Sequence, residues 1–224
     1  MYNPPANRVD DLDVIQNLIE RAAFGHIVSH TAEAFAATGL PLLLDRSGGS
    51  LGSLRGHFAR ANSHWRQLDG ASVIVVIPLS DGYASPAWYP SKADDDRVVP
   101  TWNYEVVHAH GVSRIHDDPD WVLSLVSALT DVHEMSRSDD APRWAVTDAP
   151  VDFIARQLRA IVGVEIEVTH LDGKRKLSQN RSDADRLGVI AGHDAASPPE
   201  PSTLANAMRA TDGWGSEPSA RVSE

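Results

Sequence analysis

"ASVIVVIPL" (71–79) is the stretch on which the fold turns. From Val73 to Ile77 it is a continuous β-branched apolar run, followed by Pro78 and Leu79. It is too short for a core helix and shows no helical spacing, so it reads as a strand buried on both faces. Everything around it must then supply partner strands and cover.

Towards the N-terminus, "VDDLDVIQNLIERAAFG" (9–25) opens with acids that can cap a helix. Leu12, Ile15, Leu18, Ile19 and Ala22 then recur at helical spacing, and Gly25 follows the last turn. "FGHIVSH" (24–30) and "GLPLLLD" (39–45) read as strands, and Gly48-Gly49 marks a turn before a third, "LGSLRGHFA" (51–59). Towards the C-terminus, "NYEVVHAHGVSRI" (103–115) is a long β segment. The next segment starts a helix at Asp118-Pro119, an acid that can cap and a proline suited to the first turn. "APVDFIARQLRAIVG" (149–163) is a second amphipathic helix ended by Gly163. "VEIEVTHLDGKRKLSQN" (164–180) alternates as a strand and turns at Asp172-Gly173. "SDADRLGVIAGH" (182–193) is a short helix capped by Ser182. From 194 to 224 the composition shifts to Pro, Ser, Ala and Gly without apolar periodicity. The expectation is one domain over 1–193 and a disordered or loosely docked tail, dispensable for folding. Short, turn-punctuated strands favour a closed barrel over a parallel sheet.

The bulk chemistry excludes several functions. The chain has 224 residues and a formal charge of -11. Its longest basic cluster is Lys174-Arg175-Lys176, so a nucleic-acid partner is not expected. With no cysteine, disulfides, zinc-thiolate sites and thiolate-ligated haem are excluded. No signal peptide and no apolar run of membrane-spanning length is visible, which reads as a cytoplasmic chain with no membrane contact. There is no G-x-G-x-x-G and no P-loop.

Four segments lack a core-building rationale: "RGHFARANSHW" (55–65), "YASPAWYPSK" (83–92), "VVPTWNYEVVHAHG" (98–111) and "GKRKLSQN" (173–180). Rings crowd beside hydrogen-bonding groups there, which suits a flat cofactor: rings stack, while amides and hydroxyls fix its edges. Trp88 and Trp102 are the candidate stacking rings, and Asn62 and Ser85 the candidate edge groups. Arg55, Arg60, Lys92, Arg175 and Lys176 are cations for phosphate or propionate. An aromatic-rich dimer interface accounts for the same composition. His108 and His110 share one face of a strand with no third metal ligand in view, and His64 reads as surface.

These segments carry a resemblance. "MYNPP", "GHFARAN", "SPAWYPSK", "VPTWNY", "AIVGVEIEV" and "KLSQNR" resemble the signature stretches of the PaiB-like proteins, in collinear order over roughly residues 1–192. The resemblance implies an α+β, mainly β fold: a split β-barrel with peripheral helices, assembled as a homodimer with cofactor clefts between subunits. Gly39 stands where PaiB-like proteins commonly carry a histidine before Leu-Pro, and the missing side chain is expected to widen a pocket. The family label implies FMN and transcriptional regulation. The chain is also similar to the haem b-dependent piperazate synthases, which close N5-hydroxyornithine into piperazic acid by forming an N–N bond. That similarity implies an enzyme with a small amino-acid substrate and makes His57 the iron ligand. Tyr89, Thr101, Asn103 and Lys176 then become candidate catalytic residues. In the FMN reading Ser85 and Thr101 hold ring edges and a basic residue holds the phosphate. His57 also reads as a core histidine bonded to a carbonyl, and a chain with an empty cleft is a third reading.

Overall fold

The computed structural model describes residues 1–30, 34–196 and 202–211; the expectations for 31–33, 197–201 and 212–224 lie outside the described residues. The elements in chain order are β1 (Arg8–Val9), α1 (Leu12–Ala22), β2 (Phe24–His30), β3 (Phe35–Pro41), β4 (Leu43–Asp45), β5 (Ser53–Ala59), β6 (Ser72–Ala84), β7 (Thr101–His116), α2 (Pro119–Ser136), α3 (Val151–Leu158), β8 (Ile161–Lys176), α4 (Asp183–Ala195) and α5 (Thr203–Arg209). Side chains start the helices as the sequence suggests. Asp11 accepts the Val14 N–H ahead of α1, Asp118 accepts the Asp120 N–H with Pro119 at the first turn of α2, and Ser182 accepts the Asp185 N–H ahead of α4.

Among the described residues the strands form one eight-stranded sheet in the order β3-β2-β6-β7-β8-β5-β4, with β1 on β8. This corrects the expected mainly-β split barrel. The sheet is open, and among the described residues five α-helices with several 3-10 turns occupy a share comparable to the strands. The two end strands, β3 and β4, are successive segments of one stretch broken at Leu42. At that break Pro41 has no N–H to give, and the Leu42 N–H donates to Ala23 O at 2.9 Å, so no ladder closes a ring there.

Three smaller differences have local causes. Strand β8 runs unbroken through Asp172-Gly173, where a hairpin was expected. Gly173 serves packing instead: a Cβ there would meet Ile15 Cγ1 at 2.8 Å and Val9 Cβ at 3.0 Å. Helix α3 ends at Leu158, and Gly163 lies inside β8, where the Trp121 ring covers it. In β6, Val73, Val75 and Ile77 are buried, while Ile74 and Val76 are only half-buried, so the central run is covered fully on one face.

Two compact units emerge. The first holds Met1, Val9–Pro78 and Val107–Gly173. Its core includes Ile27, Leu54, Phe58, Val75 and Ile166, all completely buried. The second holds Tyr2–Arg8, Leu79–Val106 and the chain from Lys174 onward. Its core joins Ala84, Tyr89, Leu177, Val189 and Ile190 to Leu204, Ala205, Ala207 and Met208 of α5. The tail expected to be loose thus contributes a buried helix over its described part. The short spacing of its four apolar residues hid that helical face.

Among the described residues no helix is long and apolar enough to cross a membrane.

Candidate functional site

In the first unit, β5 pairs with β8 in the register Arg55↔Glu165, Gly56↔Val164, His57↔Gly163. Alternation along the strand sends Leu54 and Phe58 into the core and puts Arg55 and His57 together on the other face. Arg55 pairs with Asp45 at 2.6 Å and with Glu165 at 2.9 Å. Burial opposes ionisation of Glu165, but the hydrogen bond and charge of Arg55, with help from His116, hold its carboxyl below the usual range. His116 lies 3.3 Å from Glu165 and stacks on Trp121, centroids 3.9 Å apart. His57 Nδ1 is buried and has no hydrogen-bond partner among the described residues. Burial also pushes the His57 pKa down. The carbonyl-bonded core histidine is therefore not realised at that nitrogen.

The remainder of the stretch is knitted into the unit. Arg60 donates to both Asp117 oxygens (3.0 and 2.5 Å) and to the carbonyls of Arg159 and Ile161. Asn62 Oδ1 accepts the His64 N–H at 3.0 Å, and its amide donates to Thr38 Oγ1 at 3.3 Å. His64 is buried, not on the surface, because both ring nitrogens find hydroxyls at 2.8 Å: Ser29 and Thr38. Nor does Gly39 widen a pocket. The Phe24 ring edge fills its place, 2.8 Å from where a Cβ would stand.

Asp172 gathers Met1 and His110, both distant in sequence, beside its near neighbour His170. It accepts from the Met1 amine at 3.1 Å and lies 3.3 Å from His170 and 3.7 Å from His110. Even so, no group of His, Cys, Asp or Glu among the described residues is arranged to hold a metal.

In the second unit, Ser85 caps a 3-10 turn, Pro86–Trp88, by accepting the Ala87 N–H. The Trp88 ring lies against α4, edge-on to His193 at 5.1 Å and covering Gly192. Tyr89 is a core residue; its hydroxyl has no partner among the described residues, and the Arg181 guanidinium sits 4.7 Å over its ring. Asn103 is fully buried and exchanges hydrogen bonds with Ser178 Oγ at 2.9 and 3.1 Å. Ser178 has φ +61°, a backbone conformation costly for a residue with a Cβ, and these bonds hold it there. Lys176 Nζ donates to Thr101 Oγ1 at 2.5 Å and to Trp102 O at 2.6 Å. Burial, with the charge of Lys174 nearby, pushes its pKa down. Trp102 is half exposed, donates Nε1–H to Asp81 at 2.9 Å and lies 6.3 Å from the Tyr83 ring.

The expected residues thus form two sets. Arg55, His57, Arg60 and Asn62 belong to the first unit; Ser85, Trp88, Tyr89, Thr101, Trp102, Asn103 and Lys176 belong to the second. Sequence reasoning missed Glu105, which is buried and bonded to Ser80 Oγ at 2.7 Å and Arg175 Nε at 2.9 Å. It also missed Lys174 as a buried cation. The signal was the alternation in Lys-Arg-Lys, which places the outer two on one face and Arg175 on the other.

Burial pushes four histidines, His57, His64, His108 and His193, below the ordinary imidazole range. The unfolded chain therefore protonates first. Stability from these groups is complete above the unfolded pKa of about 6.5 and is lost as pH falls through and below it. Urea unfolding is expected to give level stability from pH 7 to 8 and a clear decline between about pH 6.5 and 5. A flat profile over that lower window would show that these imidazoles are not held neutral.

A family model described as "Putative FMN-binding domain" matches residues 1–170. An uncharacterized protein of Emericella nidulans is 29% identical over 93% of this chain and 96% of its own length. The protease synthase and sporulation protein PAI 2 of Bacillus subtilis is also 29% identical, over 85% of this chain and 87% of its own. The FAD and heme binding protein from Mycobacterium smegmatis shares the fold, with TM-score 0.54 at 15% identity over 83% of this chain and 80% of that one. The PaiB-like relationship expected from the sequence holds at this level, while the likeness to piperazate synthases rests on the sequence segments alone. With most of its length under that description, the chain belongs to the FMN-binding domain family.

Proposed function

We propose that this chain binds a flavin nucleotide through its second unit. The observation that carries the proposal is the Trp102 ledge. Trp102 is 50% exposed and Tyr83 47% exposed, yet the pair is not loose. Trp102 is tied to Asp81 through its indole and to Lys176 through its carbonyl, and Asn103 beside it is locked to Ser178. A rigid, solvent-facing ring beside a cation suits one face of a planar cofactor with an anionic arm. A bound flavin supplies two-electron redox chemistry through its isoalloxazine ring. The chain's own part is to stack that ring on Trp102, fix it through Thr101 and the backbone, and exclude water from the covered face.

Haem b is the second reading, favoured by the orphaned Nδ1 of His57. Neutral imidazole is the ligand form, and burial of His57 keeps it neutral. The surroundings fit haem less well. Arg55 and Arg60, the expected propionate partners, already hold Asp45, Glu165 and Asp117. In that reading haem would act as a Lewis acid in closing N5-hydroxyornithine, and a second copy of the chain would complete the cleft.

Adding FMN to the purified protein is expected to quench flavin fluorescence on binding, and Trp102→Ala to weaken binding at least about tenfold, about 1.4 kcal/mol. Failure of FMN to bind, with a Soret band on haem addition that His57→Ala abolishes, would reverse the order of the two readings.

A further inference from the structure

Residues Lys174, Arg175 and Lys176 end β8 in the second unit, and alternation gives them opposite fates. Arg175 turns to the buried side, where it meets Glu105 at 2.9 Å and donates to Ala207 O at 3.1 Å. The two lysines share the other face. Lys174 is only 6% exposed. Its ammonium donates to Tyr2 O at 3.0 Å and lies 5.7 Å from the Tyr2 ring centroid and 5.0 Å from that of Tyr104. Lys176 is half-buried between Thr101 and the Trp102 carbonyl.

The two lysines' recorded partners are hydroxyl, carbonyl and aromatic groups. Neither pairs with a carboxylate within 4 Å among the described residues, in a chain that carries 31 acidic residues against 20 lysines and arginines. Arg46, Arg55, Arg60, Arg97, Arg137, Arg156, Arg175 and Arg209, by contrast, each pair with a carboxylate. Two desolvated like charges on one face are costly unless something anionic joins them. Lys176 uses two of its three N–H groups, so one remains to donate.

We propose that Lys176, backed by Lys174 and flanked by the Thr101 hydroxyl, is a subsite for a phosphate monoester. The inference rests on the flavin reading for the rest of the ligand, since the Lys176 acceptor is the carbonyl of the Trp102 that would stack the ring. Lys176 touches the phosphate directly. Lys174, held under Tyr2 and Tyr104, supplies field without contact. Thr101 orients the Lys176 ammonium and offers its own hydroxyl. The bound dianion restores the proton that burial makes costly for Lys176, so affinity for it falls as pH rises through the depressed lysine pKa.

The test compares FMN with riboflavin, which lacks the phosphate, by calorimetric titration at fixed ionic strength. FMN is expected to bind at least about tenfold more tightly, a margin of about 1.4 kcal/mol. Lys176→Met should reduce the two ligands to parity, because its loss of FMN affinity exceeds whatever riboflavin loses through the slackened Trp102 carbonyl. Lys176→Arg should keep most of the preference. Lys176 is half-buried, so its variants are expected to fold, and a thermal melt of each confirms it. Equal binding of FMN and riboflavin by the parent chain, or an undiminished FMN preference in Lys176→Met, overturns the subsite while the flavin reading stands. If neither flavin binds, the flavin reading fails, and inorganic phosphate decides the subsite by itself. Millimolar binding lost in Lys176→Met supports it, and no phosphate binding overturns it.

Discussion

A chain ended at Ala196 is expected to melt roughly 8–16 °C below the full chain, corresponding to about 4 kcal/mol for a domain of this size. Ending there removes α5, which buries Leu204, Ala205, Ala207 and Met208 in the core of the second unit. Leu204 and Met208, one turn apart, make its apolar face, each worth about 2–5 kcal/mol against alanine in a packed core. Two arginines would also lose acceptors. Arg175 donates to Ala207 O, and Arg186, itself buried, donates to Met208 O at 3.1 Å. Both carbonyls lie in the last turn of α5, where a helix leaves its C=O groups unpaired, so the guanidinium groups cap it. Differential scanning calorimetry of the truncated chain checks the prediction. The pair Leu204→Ala with Met208→Ala in the full-length chain should reproduce most of the loss. An unchanged melting temperature in both would show that α5 does not dock.

Arg175→Met is expected to cost about 3–5 kcal/mol, the range for removing one partner of a buried ion pair. Glu105 is 1% exposed and would keep its Ser80 hydrogen bond but lose the guanidinium 2.9 Å away. The double change Glu105→Met with Arg175→Met should recover at least half of that cost, because two apolar side chains of similar volume need no charge compensation. Guanidinium unfolding of the two single variants and the double variant measures the coupling. Additive losses would show that the pair does not act as a unit. Because Arg175 lies between Lys174 and Lys176 on β8, the single variant should also weaken phosphate discrimination, whereas the double variant should restore it in part.

Much of the local structure was legible in the residues. The acid before each of α1 and α2, and Ser182 before α4, announced the helix starts because a capping side chain and the N–H it accepts lie within three residues. "ASVIVVIPL" was legible as a strand because aliphatic and β-branched residues favour a pleated, covered surface, and the strand continues to Ala84. Asp172-Gly173 misled because the same dipeptide that makes a hairpin also lets a helix approach a strand closely. The presence of Ile15 and Val9 beside Gly173 decided between the two. The α5 helix misled because seven residues are too few to display a period against a Pro- and Ser-rich background.

For the site, residue type was legible and partnership was not. The sequence by itself determined an acidic chain without cysteine, its strand and helix succession, its family signature, and a set of aromatic and basic residues suited to a flat anionic ligand. Only the tertiary structure decided which cations were already neutralised. Arg55 and Arg60 read as ligand-facing cations, yet Glu165 and Asp117, 110 and 57 positions away, hold them. Lys174 reads only as part of a short basic cluster and Lys176 as one of five candidate anion partners, and the recorded hydrogen-bond partners of both are neutral. The same holds for His64 and His57, seven residues apart, of which one is satisfied at both nitrogens and the other has an orphan. The physical reason is common to all three pairs. Side-chain chemistry is a property of the residue, but its desolvation and pairing depend on groups that only the folded chain brings within a few ångströms.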